Sequence, residues 1–566
     1  MDAKIEILFY GERNWLDSMT KGEGKTLVLG FDALTFDYLD EFDLPNFSAL
    51  RSSGTEAPLQ STHPPWTASA WPSLYTGVDP SYHGVYDFFQ HGNGYPDDTS
   101  FVTRSDVRAP ALWNYLSSEG IPSIVLNMPV SNSADQVNGV LIPGYLSPES
   151  ASGYPNGIRK EIEEAIGEYR IYSRAETAED KDEKLAGYLE LIDLRRQAAE
   201  HLLATVEWEV AIIQVQKTDA VFHQFSNRSA HRQVYSAADE LVGSIMDAVD
   251  QETNIVVCSD HGIGPVTGYR IYVNEILQQH GFVESTEGGG KVQIGDEKRR
   301  MMGEEDEAVP EEENSSPVAQ AIGGVASTLD RIGMSPADIY AIAQQLGIAP
   351  LLLRALPEDV REGLQNRENV DWRRSMAYCR SRNELGVRIN LEGRDPHGIV
   401  SKSEYEVVRD EIIEILSTLR TPDGNYAFEF VERREAVYDG PYTEDACDIL
   451  FRPKEMNNIV ELQLTGRKFL PADSFDHKKQ GVFIGAGPAF NPEANIQELS
   501  ITDIAPIIMA LSECSVPARM AGKVPEELLR TQPSRREYTD VEFATGNSNE
   551  PIDNQMEERL EDLGYL

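Results

Sequence analysis

Apolar runs and amphipathic stretches alternate through the first half of the chain, and their order predicts the fold. Lys25–Asp32 is a short apolar run ending in a carboxylate, Ala211–Asp219 is a second, and Asn254–Gly262 is a third that ends in Ser259-Asp260-His261-Gly262. Runs this short with β-branched residues read as strands buried on both faces. Between them, Asp193–Leu203 and Ala238–Met246 place apolar residues at helical spacing. Strands alternating with helices of this kind predict a parallel sheet covered on both sides, an α/β fold.

The alternation divides the chain. Residues 1–24 form a variable leader that ends in the turn-like Lys21-Gly22-Glu23-Gly24, and 25–283 carry the first part of the α/β core. Residues 284–372 break the rhythm with Gly288-Gly289-Gly290, the acidic runs 304–307 and 311–313, and a helical stretch around Ala337–Leu356, read as an inserted loop and helical cap. Residues 373–531 resume the core, with strands near Met376, Arg388, Ile449 and Val482 and helices near 403–421 and 501–511. Residues 532–566 are a polar tail with a short closing helix, and no internal repeat is present. At 566 residues the chain exceeds one simple core, which fits one large domain with an insertion.

Charge narrows the class of partner. Asp and Glu number 94 against 50 Lys and Arg, a net charge of -44, and a field of that sign repels nucleic acid and anionic membranes. The acidic residues are spread along the chain, the pattern of a halophilic protein whose self-repulsion is screened by concentrated salt. Cys258, Cys379, Cys447 and Cys514 lie far apart without CxxC spacing and read as reduced thiols. No apolar stretch reaches the length of a membrane span, so the expected location is cytoplasmic. Oligomeric state is open.

The candidate chemistry centres on Pro64–Gly77. Two prolines hold the approach to Thr67 extended, and the residues after it can close into a helix, so the hydroxyl meets the free N–H groups of a helix start. A threonine hydroxyl needs a base or a metal to become a nucleophile. Metal donors are at hand. Asp32 and Asp260-His261 stand at strand ends, Asp219 and His223 are spaced to share one helical face, and Asp476-His477 follows far downstream. Three carboxylates at one sheet edge repel one another, and cations are their natural partners. Mixed carboxylate and imidazole ligation suits zinc or manganese better than magnesium. His63, His83 and His91 fall outside this set; Trp71 and Tyr75, four apart on the new helix, read first as core residues; Lys217 is left between touching phosphate and balancing charge. Gly485-Ala486-Gly487 lacks the last glycine of a dinucleotide fingerprint and reads as a strand-end turn, so no organic cofactor is expected.

The ordered set of Asp, hydroxyl, Asp-x-x-x-His, Asp-His and a late His resembles the alkaline phosphatase superfamily. More narrowly it is similar to the type I phosphodiesterase / nucleotide pyrophosphatase family and its archaeal, haloarchaeal members. Thr76-Gly77 with His83-Gly84, Arg388–Arg394 and Thr502–Pro506 extend the likeness along most of the chain. Ala70 departs from it, standing where nucleotide pyrophosphatases of that family carry asparagine, which sets a nucleotide substrate apart from the metal chemistry. The resemblance implies a three-layer sandwich with a mostly parallel central sheet and an inserted helical cap. It also implies two divalent ions, zinc in most members, one held by Asp32, Thr67, Asp260 and His261 and the other by Asp219, His223 and His477. The expected activity is hydrolysis of a small-molecule phosphodiester, or a phosphomonoester, through a covalent phosphothreonine at Thr67. Alternatives on the same frame are a phosphomutase, a phosphonate or sulfate ester hydrolase, and a non-catalytic protein that binds a phosphate ligand. A sulfatase would need Cys or Ser in a Cys/Ser-x-Pro-x-Arg setting, which Thr67 and Trp71 do not match.

Overall fold

Residues 24–91, 99–176, 178, 180–286 and 369–543 are described by a computed structural model. The leader, most of the 284–372 insertion with its expected cap, and the closing helix of the tail lie outside the described residues.

Eight strands form the central sheet: β1 (Thr26–Phe31), β2 (Thr55–Gln60), β3 (Ser123–Met128), β4 (Gly139–Pro143), β5 (Val210–Val215) and β6 (Asn254–Ser259) from the first part of the chain, with two more from its end. Between the two groups in sequence, β7 (Gly262–Val266) and β8 (Ser474–Lys478) pair outside this sheet, and β9 (Gln480–Ala486) and β10 (Leu499–Ser500) then complete it. The spatial order is β10-β2-β9-β6-β1-β5-β3-β4. Every neighbouring pair is parallel except the two made by β9, so the sheet is mostly parallel.

Consecutive strand residues face opposite sides of a sheet, and β1 shows what covers each side. Phe31 packs edge-on against Phe47 of helix α1 (Pro45–Ser53), with ring centroids 5.3 Å apart. Gly30 faces the other way, toward Trp71 of helix α2 (Thr67–Thr76); a Cβ at Gly30 would stand 2.6 Å from that ring. The first side continues through α3 (Ile158–Ile166), α4 (Lys181–Thr205) and α6 (Arg228–Asp247), with α5 (Lys217–Gln224) joining α6, while α7 (Ile504–Leu511) accompanies α2 on the second. Helix layer, sheet and helix layer form the α/β sandwich that the strand-helix alternation predicts.

Register fixes the site. Phe31, the last residue of β1, is level with Val215 of β5 and Ser259 of β6, so the chain leaves all three strands at one height on the carboxyl edge, the edge where open α/β sheets bind ligands. Beyond β6 the chain turns at Gly262 into β7, which pairs antiparallel with β8 and sets His477 opposite Ile263.

The strands between the insertion and β8 do not join the central sheet. Ala377–Tyr378, Gly386–Ile389, Ile449–Pro453 and Phe428–Arg433 form a separate antiparallel sheet in that order, covered by the helix Tyr405–Ser417. Asp448 is its buried anchor: it accepts from Arg394 at 2.6 Å, Arg434 at 3.0 Å, the Tyr405 hydroxyl at 2.6 Å and the Ile389 amide at 2.7 Å. The 284–372 insertion leaves and returns at one place, since Ser285–Thr286 pairs antiparallel with Asn369–Val370. All four cysteines are buried and none is in a disulfide.

Candidate active site

Helix α2 begins at Thr67, and Trp66 before it keeps an extended backbone, as the two prolines require. The Ser69 and Ala70 amides close the first turn on the Trp66 carbonyl, which leaves those of Thr67 and Ala68 at the open, positively polarised end. The Thr67 hydroxyl is buried there, 3.4 Å from Asp32 Oδ1 and 3.4 Å from His261 Nε2.

All seven residues singled out from the sequence come together around that hydroxyl. Donor atoms of Asp32, Asp260 and His261 lie within 4.8 Å of one another, and so do those of Asp219, His261 and His477. His223 completes the second group, its Nε2 3.1 Å from Asp219 Oδ1 and 3.3 Å from His477 Nε2. His261 stands between the two groups, its ring stacked on that of His477 with centroids 3.8 Å apart. The β7–β8 ladder makes that stack, because residue 477 sits across from the residue that follows Gly262. The Pro65 carbonyl lies 3.1 Å from His477 Nδ1, which leaves Nε2 as the face toward Asp219. One placement differs from the sequence reading: Asp219 is not at a strand end but in the first turn of α5, and the helix brings His223 onto the same face.

Which carboxylate oxygen faces the cleft is set from behind. Asp32 Oδ2 accepts from Trp71 Nε1 at 3.2 Å and from the Gln214 amide at 3.3 Å, and Gln214 is itself held by Asn127 at 2.8 Å. Oδ1 is thereby turned to Thr67 and His261. Asp260 uses Oδ1 for the Ala33 amide, 3.1 Å away, while its Oδ2 is buried and accepts no hydrogen bond, with His261 Nε2 3.1 Å distant. A buried anionic oxygen without a hydrogen bond, aimed into a cluster of imidazoles and carboxylates, is the environment a divalent cation satisfies. The donor set thus fits metal.

The electrostatics of the cluster agree. Burial pushes the Asp32 carboxyl well above its ordinary value, and Asp260 and Asp219 add to the rise. Burial alone would lower His261, but Asp260 and Asp32 outweigh it and push the imidazole up to about 10. Burial likewise opposes ionisation of Asp219, which His223 and His477 nonetheless hold below the usual carboxylate range. Without cations these groups balance charge by sharing protons; ligation must displace those protons, so metal affinity rises with pH.

Three neighbours resolve questions the sequence leaves open. Trp71 is core, as its spacing predicts, but its N–H also serves Asp32. Lys217 pairs with Glu176 and lies over the Tyr188 ring, so it balances charge. His83 is a buried helix-end histidine with Nε2 2.9 Å from Ser73 Oγ, not a pocket residue. Gln214 escaped the sequence reading although it carried a signal: an amide in a strand otherwise apolar and covered on both faces needs a buried partner.

An α/β sandwich with paired acidic and imidazole donors around a hydroxyl at a helix start defines a metal-dependent phosphoester hydrolase. The chain belongs to the type I phosphodiesterase / nucleotide pyrophosphatase family, whose profile matches residues 26–327. No match to a curated protein sequence was found. Among solved structures it is similar to murine ectonucleotide pyrophosphatase/phosphodiesterase 5, at 12% identity and a TM-score of 0.47 over 89% of this chain and 100% of that one. An inactive variant of that murine protein in complex with AMP gives 12% identity and 0.46 over 87% and 96%. Phosphonoacetate hydrolase from Sinorhizobium meliloti in complex with phosphonoformate gives 13% identity and 0.48 over 86% and 96%. No helix among the described residues is long and apolar enough to cross a membrane.

Proposed function

We propose that this protein cleaves a small-molecule phosphodiester in two displacements at phosphorus, with Thr67 as the nucleophile. The observation that carries the reading is the Thr67 hydroxyl itself, buried at the start of α2 and 3.4 Å from both Asp32 Oδ1 and His261 Nε2. Asp32, Thr67, Asp260 and His261 would hold one divalent ion and Asp219, His223 and His477 the other, zinc or manganese by donor type. Such ions supply charge neutralisation for the phosphoryl oxygens and lower the pKa of a hydroxyl or water beside them.

The chain's own groups do the rest. The Thr67 and Ala68 amides at the helix start donate to the phosphoryl oxygens, whose charge grows as the bond to the leaving alcohol stretches. Thr67 Oγ1 gives up its proton as it forms the bond to phosphorus, and the leaving oxygen departs in line with its electron pair and takes up a proton. Water then attacks the phosphothreonine from the vacated side, and the threonine oxygen leaves and regains a proton. Trp71, Gln214 and Asn127 keep Asp32 in one orientation throughout.

The net charge of -44 supports function in concentrated salt, and four cysteines outside any disulfide support a reducing compartment such as the cytoplasm. Aryl phosphodiester, phosphomonoester, phosphonate and sulfate ester substrates, assayed with zinc or manganese in molar salt, test the reading. The diester should turn over fastest. Preference for another ester, or no turnover of any, would remove the diester assignment.

A further inference from the structure

Away from Thr67, a third set of metal-donor side chains converges. Asp87, His91 and Glu384 each offer one ligand atom, and the three atoms lie within 4.8 Å of one another. Asp87 and His91 belong to the segment that follows the short helix Pro80–His83, while Glu384 comes from the loop before strand Gly386–Ile389 of the second sheet. His91 Nε2 is 2.9 Å from Asp87 Oδ2. All three side chains are shielded from water, His91 the least at 6% exposed.

Two carboxylates brought this close in a dry setting need compensation. Arg380 supplies part of it through a forked pair, Nε to Glu384 Oε2 at 2.7 Å and Nη2 to Oε1 at 2.6 Å. That cancels one negative charge of two. An ionised carboxylate offers about four lone-pair positions. Arg380 takes one on each oxygen of Glu384, and the buried Cys447 thiol takes a second on Oε2 at 3.4 Å, so Oε1 retains one. The remaining charge sits on Asp87, whose Oδ1 accepts from the Phe88 amide at 2.6 Å and whose Oδ2 faces His91 Nε2, and a cation shared by Asp87, His91 and Glu384 would neutralise it. One donor atom from each of the three residues lies within 4.8 Å of the other two, close enough to share one ion. One imidazole with two carboxylates is a zinc donor set, since calcium and magnesium prefer oxygen alone.

We propose that Asp87, His91 and Glu384 bind a zinc ion that is separate from the ions at Thr67 and staples the segment after the nucleophile helix to the second sheet. Its ligands come from distant parts of the chain and meet only on folding, so the ion binds the folded state and stabilises it. The three donors form a group that shares no residue with the two groups around Thr67, and the role assigned to the ion is structural.

The full-length chain, stripped with chelator and reloaded with zinc alone, tests this by elemental analysis. His91→Gln and His91→Lys should each hold one zinc fewer per chain than the wild type, and both should keep turnover at saturating zinc. The lysine variant separates charge from ligation, because it retains a cation at residue 91 without an imidazole ligand. Equal zinc content in wild type and both variants overturns the proposal. The count is a difference between proteins, so it holds whatever number of ions the Thr67 cluster takes. Should either variant fold poorly, wild-type crystals measured at the zinc absorption edge decide. A peak among the three residues supports the site; peaks at Thr67 with none there refute it.

Discussion

Asp32 shows how the orientation of a buried carboxylate is set by the groups behind it. Its two oxygens differ only in their surroundings: Trp71 and Gln214 occupy Oδ2, and Oδ1 is left to face Thr67. Trp71→Phe removes the N–H, together with the outer indole ring that packs on Gly30, so zinc affinity at the cluster should fall by roughly 10- to 100-fold, as is typical when a ligand loses its orienting partner. Calorimetric titration of the metal-free protein with zinc measures it; an unchanged affinity would mean that Asp32 is held by its backbone alone. At this scale the sequence was a partial guide. Helical spacing marks Trp71 as buried but not where its N–H ends, because that depends on β1 lying beneath it. His477 was reachable only through family likeness, since nothing local to Asp476-His477 distinguishes it from any other strand pair.

At the scale of elements, the second sheet hangs on one carboxylate. Burial opposes ionisation of Asp448, but hydrogen bonds and charge from Arg394, with Arg388 and Arg434, bring it down to about 2, below the ordinary 3.8. A folded-state value below the unfolded one stabilises fully above about pH 4, and that contribution is lost as pH falls toward about 2. Asp448→Asn leaves buried guanidinium groups without their partner and should cost about 3–5 kcal/mol near neutral pH. Urea unfolding at about pH 6 and about pH 3 should show the gap between variant and wild type narrowing in acid, where the wild type loses the same interaction. A gap that stays constant would place the stabilisation in packing instead. The apolar runs of β1, β5 and β6 announced their strands because buried parallel strands have no polar face. The ladder between β7 and β8 did not announce itself, because Gly262–Val266 pairs with residues from the far half of the chain.

For the molecule as a whole, charge is the dominant fact that packing does not explain. A net charge of -44 repels itself, and only concentrated salt, with a screening length of about 3 Å near 1 M, removes most of that cost. Dialysis into salt-free buffer should therefore reduce the helical circular dichroism signal, and restoring molar salt should recover it. Full helicity without salt would show instead that the core carries the charge unaided.

One oxygen atom carries the proposed chemistry. Thr67→Ala leaves Asp32, Asp219, His223, Asp260, His261 and His477 in place, so the variant should retain bound metal while turnover of a phosphodiester falls by about a thousandfold or more, the order seen when a nucleophile is removed. Measured side by side, wild-type turnover in the metal-loaded variant would contradict the assignment of Thr67 and the covalent route built on it.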